Sequence, residues 1–584
     1  SVHSDHFPLS LKLSWSDGIS HRSSTRMPIL GLSAHRRRGT RLRWERIEPD
    51  LFFDHLVKEN REAIETCLDA LADPEVVVSA FTTLSESIKC NLTSKRIDDG
   101  KSRPKGWFNH SCTRALTDLK TALKTRPRNS ALVLASRQNY RLALWKRKNE
   151  IRLEAWDQLE DASERNDSRA FWQIVNRPLF NTWDVPNCDS NVPQEAWLSH
   201  FKSLYNAPSV ALGSPCTPLY HPSREEAQSL FFNIKEVEGA INKSVKNKAP
   251  GPDGVPVDLY KCNTDFWAPL LTNVLQATLS AGKLPTWSQA IIVPIFKKGN
   301  RADPACYRPI SLLDSLVKVL GRVILQRLET WMEDYQPPNN IQYGFRKGVG
   351  TIEQCLNLSL LLGKYTVVRG EPMYLGFMDL SCAFDSVSHN KLWGTLSGMG
   401  IEENLLCIIR DIYSGAVASV RYGAGGECTD PFSVTKGVRQ GCVLAPFLFS
   451  LYIRNLEKVL CDLGGDVPKA GDFLIPALLF ADDAVLMGRT PRALQSLINA
   501  FADFMSDLDL KVNVGKTYVM SCSSKRSRRG NPTFFLNGSR INQTTNFTYL
   551  GIIFNDRGSW GPNISFRAAL MAREVLAVFS FAAK

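Results

Sequence analysis

Residues 478–488 read LLFADDAVLMG. Two apolar runs enclose Asp482 and Asp483, and this pattern predicts a strand, a tight turn and a returning strand. On a straight strand consecutive side chains point to opposite faces, whereas at a turn two carboxylates can project toward one point. Two anions side by side in apolar surroundings need cations near them. An exposed Asp-Asp hairpin turn is the alternative. Leu478, Leu479, Phe480, Val485 and Leu486 on both sides weigh against it. A second carboxylate source is YLGFMDLSCAFDSVSH, residues 374–389. Asp379 ends its apolar strand, and Asp385 follows past a turn into a helix. Hard divalent cations such as Mg²⁺ take several carboxylate oxygens, with substrate phosphates completing the shell. An Asp at a strand end meeting two at a hairpin tip fits a two-metal site, one ion for the attacking oxygen and one for the leaving group.

The composition is compatible with that chemistry. A chain of 584 residues exceeds what one core usually fills, so two to four domains are expected. Hydrophobic residues at 43% and charged residues at 22% exclude wholesale disorder. The longest apolar runs, such as Phe473–Phe480, fall well short of the ~20 residues of a membrane span. No basic–apolar leader opens the chain, and SVHSDHFPLS without an initiator Met reads as the start of a fragment. The net charge of +13 favours a polyanionic partner, nucleic acid before anionic membrane, although many soluble proteins are mildly basic. The 14 cysteines form no C-x-x-C pair, so no zinc ribbon or dithiol motif is written here, and buried reduced thiols are expected.

Along the chain, HRRRGTRLRWER brings Arg36, Arg37, Arg38, Arg41, Arg43 and Arg46 together, as a solvated linker or a phosphate-contacting run. Helical spacing dominates 51–203. In its last helix Arg141, Lys146, Arg147, Lys148 and Arg152 mix with Tyr140, Trp145 and Trp156. That mixture suits either a nucleic-acid grip or an amphipathic helix with aromatics inward. Proline and polar residues at 207–222 mark a boundary. Beyond residue 290 strands and helices alternate, giving an α+β layout.

Seven strings occur in order: AIIVPIFKKGNRADPACYRPISLL (290–313), QYGFRKGVGT (342–351), FMDLSCAFDSVSH (377–389), GVRQGCVLAPFLFSLYI (437–453), FADDAVLM (480–487), LKVNVGKT (510–517) and FTYLGIIF (547–554). Together with NKAPGPDGVPVDLYK (247–261), they resemble the reverse transcriptase of non-LTR (LINE-type) retrotransposons over roughly 241–554. The resemblance implies a right-hand polymerase with fingers and an antiparallel palm sheet. It places an endonuclease remnant at 1–12, a basic linker at 13–50, a helical extension at 51–225, fingers and palm at 226–560 and the start of a thumb at 561–584.

By the same resemblance Asp379, Asp482 and Asp483 are catalytic and hold two Mg²⁺ ions (Mn²⁺ being an alternative), with the Leu380 carbonyl as a further ligand. Phe384 matches the aromatic gate that screens the sugar 2′ position. Gln440 lies beside the incoming nucleotide, and Arg439 and Arg346 near template or primer. Arg308, with Lys297 or Lys298, meets the triphosphate, whose charge calls for guanidinium or ammonium groups. Lys516 matches a general acid for pyrophosphate, a surface lysine being the alternative. Asp5 and His6 in SDHFPL resemble the end of an apurinic-type endonuclease, a remnant too short to act as a nuclease. The implied partners are the element RNA as template, target DNA as primer and dNTPs, with no membrane; the oligomeric state is not legible. The family's setting is intracellular, a cytoplasmic ribonucleoprotein that reaches the nucleus. The competing reading is a catalytically inactive nucleic-acid-binding remnant.

Overall fold

A computed structural model of the chain describes residues 53, 56–69, 71–94, 109–125, 130–164, 192–206, 232–281, 288–336, 339, 341–346, 348–422, 427–523, 532–559 and 561–565. Asp5, His6, the Arg36–Arg46 cluster and the 207–222 boundary lie outside the described residues. The described parts fall into two compact units, one within 96–185 with residues 564 and 565, the other within 36–95 and 186–563. The expected helical extension is therefore divided. Helices α1 (Arg61–Leu68) and α2 (Pro74–Ser94) belong with the larger unit.

The smaller unit pairs α3 (His110–Thr125) with α4 (Ala131–Glu164). A short connection and the contact of Cys112 with the Ala143 carbonyl make the pair antiparallel. Cys112, Leu119, Ala122 and Val133 are buried between them. Trp145 faces solvent, so the aromatics-inward expectation for α4 fails at that position. Arg147 is held by Glu150 and Glu154 at 3.0 and 3.1 Å, so this basic residue is matched along its own helix.

In the larger unit, Cys67, Val77, Phe81, Leu84 and Ile88 of α1 and α2 share a core with later helices. Helix α5 (Gln194–Tyr205) buries Trp197, Phe201 and Tyr205. The α6 helix (Ile234–Asn242) starts at a capping box of Asn233 and Glu236, which satisfies backbone donors that a helix start leaves open. Helix α7 (Thr264–Ser280) carries Trp267, Leu271 and Val274 into the same core as α1 and α2. An antiparallel hairpin follows, β1 (Gln289–Phe296) with β2 (Tyr307–Leu312), in which Ile295 stands opposite Arg308. Helix α8 (Ser315–Tyr335) buries Leu316, Val319, Leu320, Val323 and Ile324, one face at three- and four-residue spacing. Arg327 of α8 donates two hydrogen bonds, at 3.0 and 2.9 Å, to Glu236 of α6.

Helix α9 (Thr351–Leu362) leads to β3 (Met373–Met378). Strand β4 (Val417–Tyr422) runs parallel to β1 and completes that side of the hairpin. A second hairpin, β5 (Ala477–Phe480) and β6 (Asp483–Gly488), precedes α10 (Pro491–Asp507) and β7 (Tyr518–Cys522). These strands form one sheet in the order β5–β6–β3–β7, antiparallel throughout, with a short parallel strand at 542–543 on the edge. This is the palm sheet that the motifs led us to expect, and β1, β2 and β4 make the fingers sheet. Both faces of the palm sheet are covered. Leu479, Ala484 and Leu486 face the large core with α10, while Leu478, Val485 and Met487 face α9 and Tyr549. Double burial explains why LLFADDAVLMG reads as continuous apolar runs rather than as an alternation. Among the described residues no helix is long and apolar enough to cross a membrane. The described cysteines are free thiols.

Candidate active site

The central strand β3 delivers Asp379. Its partners on both sides fix it: Met378 pairs with Ala484 of β6, and Phe377 with Tyr518 of β7. Just past the strand, the Asp379 carbonyl accepts from Asn513 N–H at 2.8 Å, and Leu380 and Ser381 pair with Val512 and Lys511. Carbonyls alternate sides along a strand, so the Leu380 carbonyl lies on the side away from that pairing.

The β5–β6 hairpin delivers the other two acids through a two-residue turn, Ala481–Asp482. Ala481 has φ 58°, a left-handed conformation that costs a non-glycine residue about 1–2 kcal/mol. A buried side chain braces it. The Gln342 carboxamide oxygen accepts from Gly344 N–H at 2.8 Å and from Ala481 N–H at 3.2 Å. Tyr343 N–H donates to Leu479 O at 2.9 Å, so the segment lies along the hairpin as an extra parallel edge. A Cβ on Gly344 would stand 2.3 Å from Ala481 N, so glycine is needed for this approach.

The three carboxylates sense one another. Burial raises the Asp379 pKa, Lys516 opposes the rise, Asp482 adds to it, and Lys297 and Lys298 oppose it. Asp483 is pushed up to about 6, by burial first and then by Asp482 and Asp379. Its side chain borders open solvent but is walled by protein on its other sides, which reconciles an exposed surface with a burial-raised pKa. Lys516 Nζ lies 3.8 Å from Asp379 Oδ2. It sits on a turn capped by Asn513, at the end of the segment that pairs with Leu380. Lys297 and Lys298 are exposed in the β1–β2 loop and act electrostatically on Asp379. Arg308 is exposed on β2.

Among the described residues no group of three or more His, Cys, Asp or Glu side chains converges closely enough to make a ready metal cage. The donor chemistry nonetheless suits a hard cation. Carboxylate oxygens are the ligands such an ion takes, and Asp379 and Asp483 are raised by burial first and then by neighbouring carboxylates.

Phe384 lies on a single 3-10 turn, half-buried, stacked on Phe449 at 4.8 Å between ring centres and edge-on to Phe345 at 6.3 Å. Gln440 donates from Nε2 to Asp385 at 2.8 Å. Asp385 is turned away from the three acids and is buried, accepting also from the Tyr205 hydroxyl at 2.8 Å. Arg439, which the resemblance puts near the template, is not an open surface residue. It is buried, donates to the Ser288 and Ile412 carbonyls at 3.0 and 3.1 Å, and lies over the Tyr413 ring. It braces the fingers instead. Arg346 stays exposed beside the hairpin brace, donating to Asn339 O at 2.8 Å. Residue-by-residue reading of the sequence missed Gln342 and Tyr205. Gln342 sits within a quoted motif, so that string carried a signal; nothing local marks Tyr205.

The reverse transcriptase (RNA-dependent DNA polymerase) family profile matches residues 295–554, which include every element of this constellation from the β1–β2 loop onward. The chain carries a reverse transcriptase domain. It is 26% identical over 376 residues to the Retrovirus-related Pol polyprotein from type-2 retrotransposable element R2DM of Drosophila melanogaster, covering 62% of this chain and 34% of that protein. It is 27% identical over 409 residues to the RNA-directed DNA polymerase from mobile element jockey of Drosophila funebris, covering 66% and 43%. The chain thus spans between a third and a half of these relatives. A distant structural likeness joins it to apo telomerase from Candida tropicalis, at TM-score 0.34 and 12% identity over 58% of this chain and 67% of that one. That likeness adds nothing to what the palm strands of the reverse transcriptase domain themselves display.

Proposed function

We propose that the chain is an RNA-directed DNA polymerase of a non-LTR retrotransposon, extending a DNA 3′ end on an RNA template in target-primed fashion. The observation that carries this reading is the placement of Asp379, just past the central palm strand, within electrostatic reach of Asp482 and Asp483 at a braced hairpin tip, beside Lys297, Lys298 and Lys516.

In this reading Asp379, Asp482, Asp483 and the Leu380 carbonyl would hold two Mg²⁺ ions. When bound, the ions supply charge stabilisation for the attacking and leaving oxygens. The chain's own groups do the rest. Arg308 and Lys297 or Lys298 meet the triphosphate from the fingers hairpin, where ammonium and guanidinium groups match its charge. Phe384, held flat on Phe449, blocks the volume a ribose 2′-hydroxyl would occupy and admits deoxyribose. Gln440 lies beside the nucleotide. As the primer 3′-hydroxyl loses its proton to solvent, its oxygen bonds to the α-phosphorus, the bond from that phosphorus to the bridging oxygen breaks, and Lys516 Nζ gives a proton to the departing pyrophosphate. Lys516 Nζ lies 3.8 Å from Asp379 Oδ2, which keeps it at the acid cluster where pyrophosphate would depart. The partners are element RNA, target DNA and dNTPs.

The test is primer extension on an RNA template by the purified chain, with Mg²⁺ or EDTA and with Asp379→Asn as control. Mg²⁺-dependent incorporation lost in Asp379→Asn supports the polymerase. Nucleic-acid binding without incorporation by the parent chain points to an inactive remnant.

A further inference from the structure

Asp385 was legible as a carboxylate near the site, yet it takes no part in the acid cluster. It is 3% exposed, and its two oxygens each accept one hydrogen bond from a different part of the chain. Oδ1 accepts from Tyr205, the last residue of α5, 180 residues upstream. Oδ2 accepts from the Gln440 amide nitrogen.

We propose that Asp385 is a positioning residue of the nucleotide pocket: held in place by Tyr205, it fixes the rotamer and the amide orientation of Gln440. The inference rests on the polymerase reading, because it takes Gln440 as the group beside the incoming nucleotide.

An ionised carboxylate can only accept, so the nitrogen end of the Gln440 amide faces it and the oxygen end faces away. Without that partner the terminal amide torsion is broad and roughly two-fold, and both ends are presented. The backbone around the pair is already set. Gly437 N–H donates to Val387 O and Val438 N–H to Phe384 O, both at 2.8 Å, while Ser311 N–H donates to Gln440 O at 2.7 Å. Gly437 has φ 87°, and a Cβ there would stand 2.7 Å from the Asp385 carbonyl. The Tyr205 carbonyl also accepts from Thr435 and Lys436 N–H at 3.0 and 3.2 Å, so α5 grips the approach to the same loop. The side-chain relay is thus set within a frame held by backbone hydrogen bonds.

Tethering alone does not explain a carboxylate. A neutral acceptor would hold Tyr205 as well, and burial raises the Asp385 pKa to about 6 even with both hydrogen bonds in place. Orienting two donors at once, one of them an amide that could otherwise flip, is the task for which an acceptor-only group is suited.

The experiment is a double-mutant cycle on the full 584-residue chain, reading KM and kcat for one dNTP in primer extension, with melting temperature in parallel. Asp385→Asn keeps the volume but removes one acceptor, so Gln440 loses its fixed orientation. We expect KM to rise about tenfold, as for the loss of one well-placed hydrogen bond, with kcat changed by less than about threefold. Gln440→Ala should raise KM by a similar factor, and the double variant should be no worse than Gln440→Ala alone, since Asp385 acts through it. Tyr205→Phe should shift KM in the same direction by a smaller factor, and its own cycle with Gln440→Ala carries the test if Asp385→Asn does not fold. Multiplying effects in the cycle would overturn the inference. So would an unchanged KM with a lowered melting temperature in Asp385→Asn, or in Tyr205→Phe where that variant carries the test. Incorporation by the parent with a multiplicative cycle refutes the positioning role alone, whereas no incorporation by the parent refutes the polymerase reading and this inference with it.

Discussion

Gln342→Ala tests whether the acid-bearing turn depends on its brace. The side chain is 5% exposed, and its oxygen is the acceptor for the Gly344 and Ala481 N–H groups. Alanine leaves both of these buried donors without that acceptor, at roughly 1–3 kcal/mol each. Freeing a glutamine side chain from order returns about 1–2 kcal/mol. The net cost is centred on roughly 2–3 kcal/mol, and it falls on a turn already holding Ala481 at φ 58°. The turn should then relax toward an ordinary conformation and carry Asp482 away from Asp379. A displacement of ~1 Å in a reacting group lowers turnover by about a hundredfold. The assay is single-nucleotide incorporation with thermal unfolding in parallel: kcat should fall by roughly that factor and the melting temperature by several degrees. Gln342→Glu separates packing from charge. It still accepts both N–H groups, so the melting temperature should drop less, but it brings a fourth negative charge to the cluster. Parental kcat in Gln342→Ala, with the melting temperature lowered as expected, would show that the turn holds its shape without the brace.

Asp379→Asn and Asp482→Asn should each abolish Mg²⁺-dependent incorporation without lowering the melting temperature, because removing one charge relieves the repulsion that raises Asp483; incorporation by both variants would refute the metal assignment. Phe384→Val should raise the rNTP-to-dNTP efficiency ratio, since valine cannot fill the space of a ring stacked on Phe449; an unchanged ratio with dNTP activity intact would place the gate elsewhere. The pH dependence of unfolding carries a sign. Asp385 titrates near 6 when folded and near 3.9 when unfolded, so between those values the folded chain holds a proton that the unfolded chain has released. Stability therefore falls as pH rises through that window, by at most about 3 kcal/mol from this group. Asp483 contributes in the same direction, so the measurement is the difference between parent and Asp385→Asn in EDTA, where Asp385→Asn should show the shallower loss; a steeper loss would contradict the burial of the charge.

The site was legible where chemistry and local pattern coincide. Asp482 and Asp483 announced themselves because charged residues interrupt a run that is apolar on both sides, and Asp379 because it ends another. Long-range partnerships left no such trace. Tyr205 is an unremarkable last residue of an amphipathic helix, and only folding brings it to Asp385. Arg439 is a second case. The motif puts it near the template, and the structure shows its guanidinium turned inward onto the Ser288 and Ile412 carbonyls, a choice about which spacing carries no information. The 51–225 extension was legible as helix but not as two destinations. Periodicity predicts that α2 buries one face, not that the partner is α7, 170 residues later.

The geometry of the acids follows from a conflict between their charge and their placement. Left alone, three carboxylates would separate; burial first, and then the neighbouring carboxylates, raise the pKa of Asp379 and Asp483 where the fold holds them. Each is prevented from moving by backbone rather than by its own side chain. Asp379 follows a strand paired on both edges and has its carbonyl tied to Asn513, while the hairpin tip is clamped through Ala481 by Gln342. The lysines around them are exposed and reach in from turns and loops, Lys516 lying 3.8 Å from Asp379, so they soften the repulsion without filling the site. In the proposed polymerase, rigid anions with loosely held counter-charges would suit a centre that exchanges a tetra-anionic nucleotide and pyrophosphate at every turnover. A tight internal salt bridge would have removed the electrostatic incentive to bind cations at all.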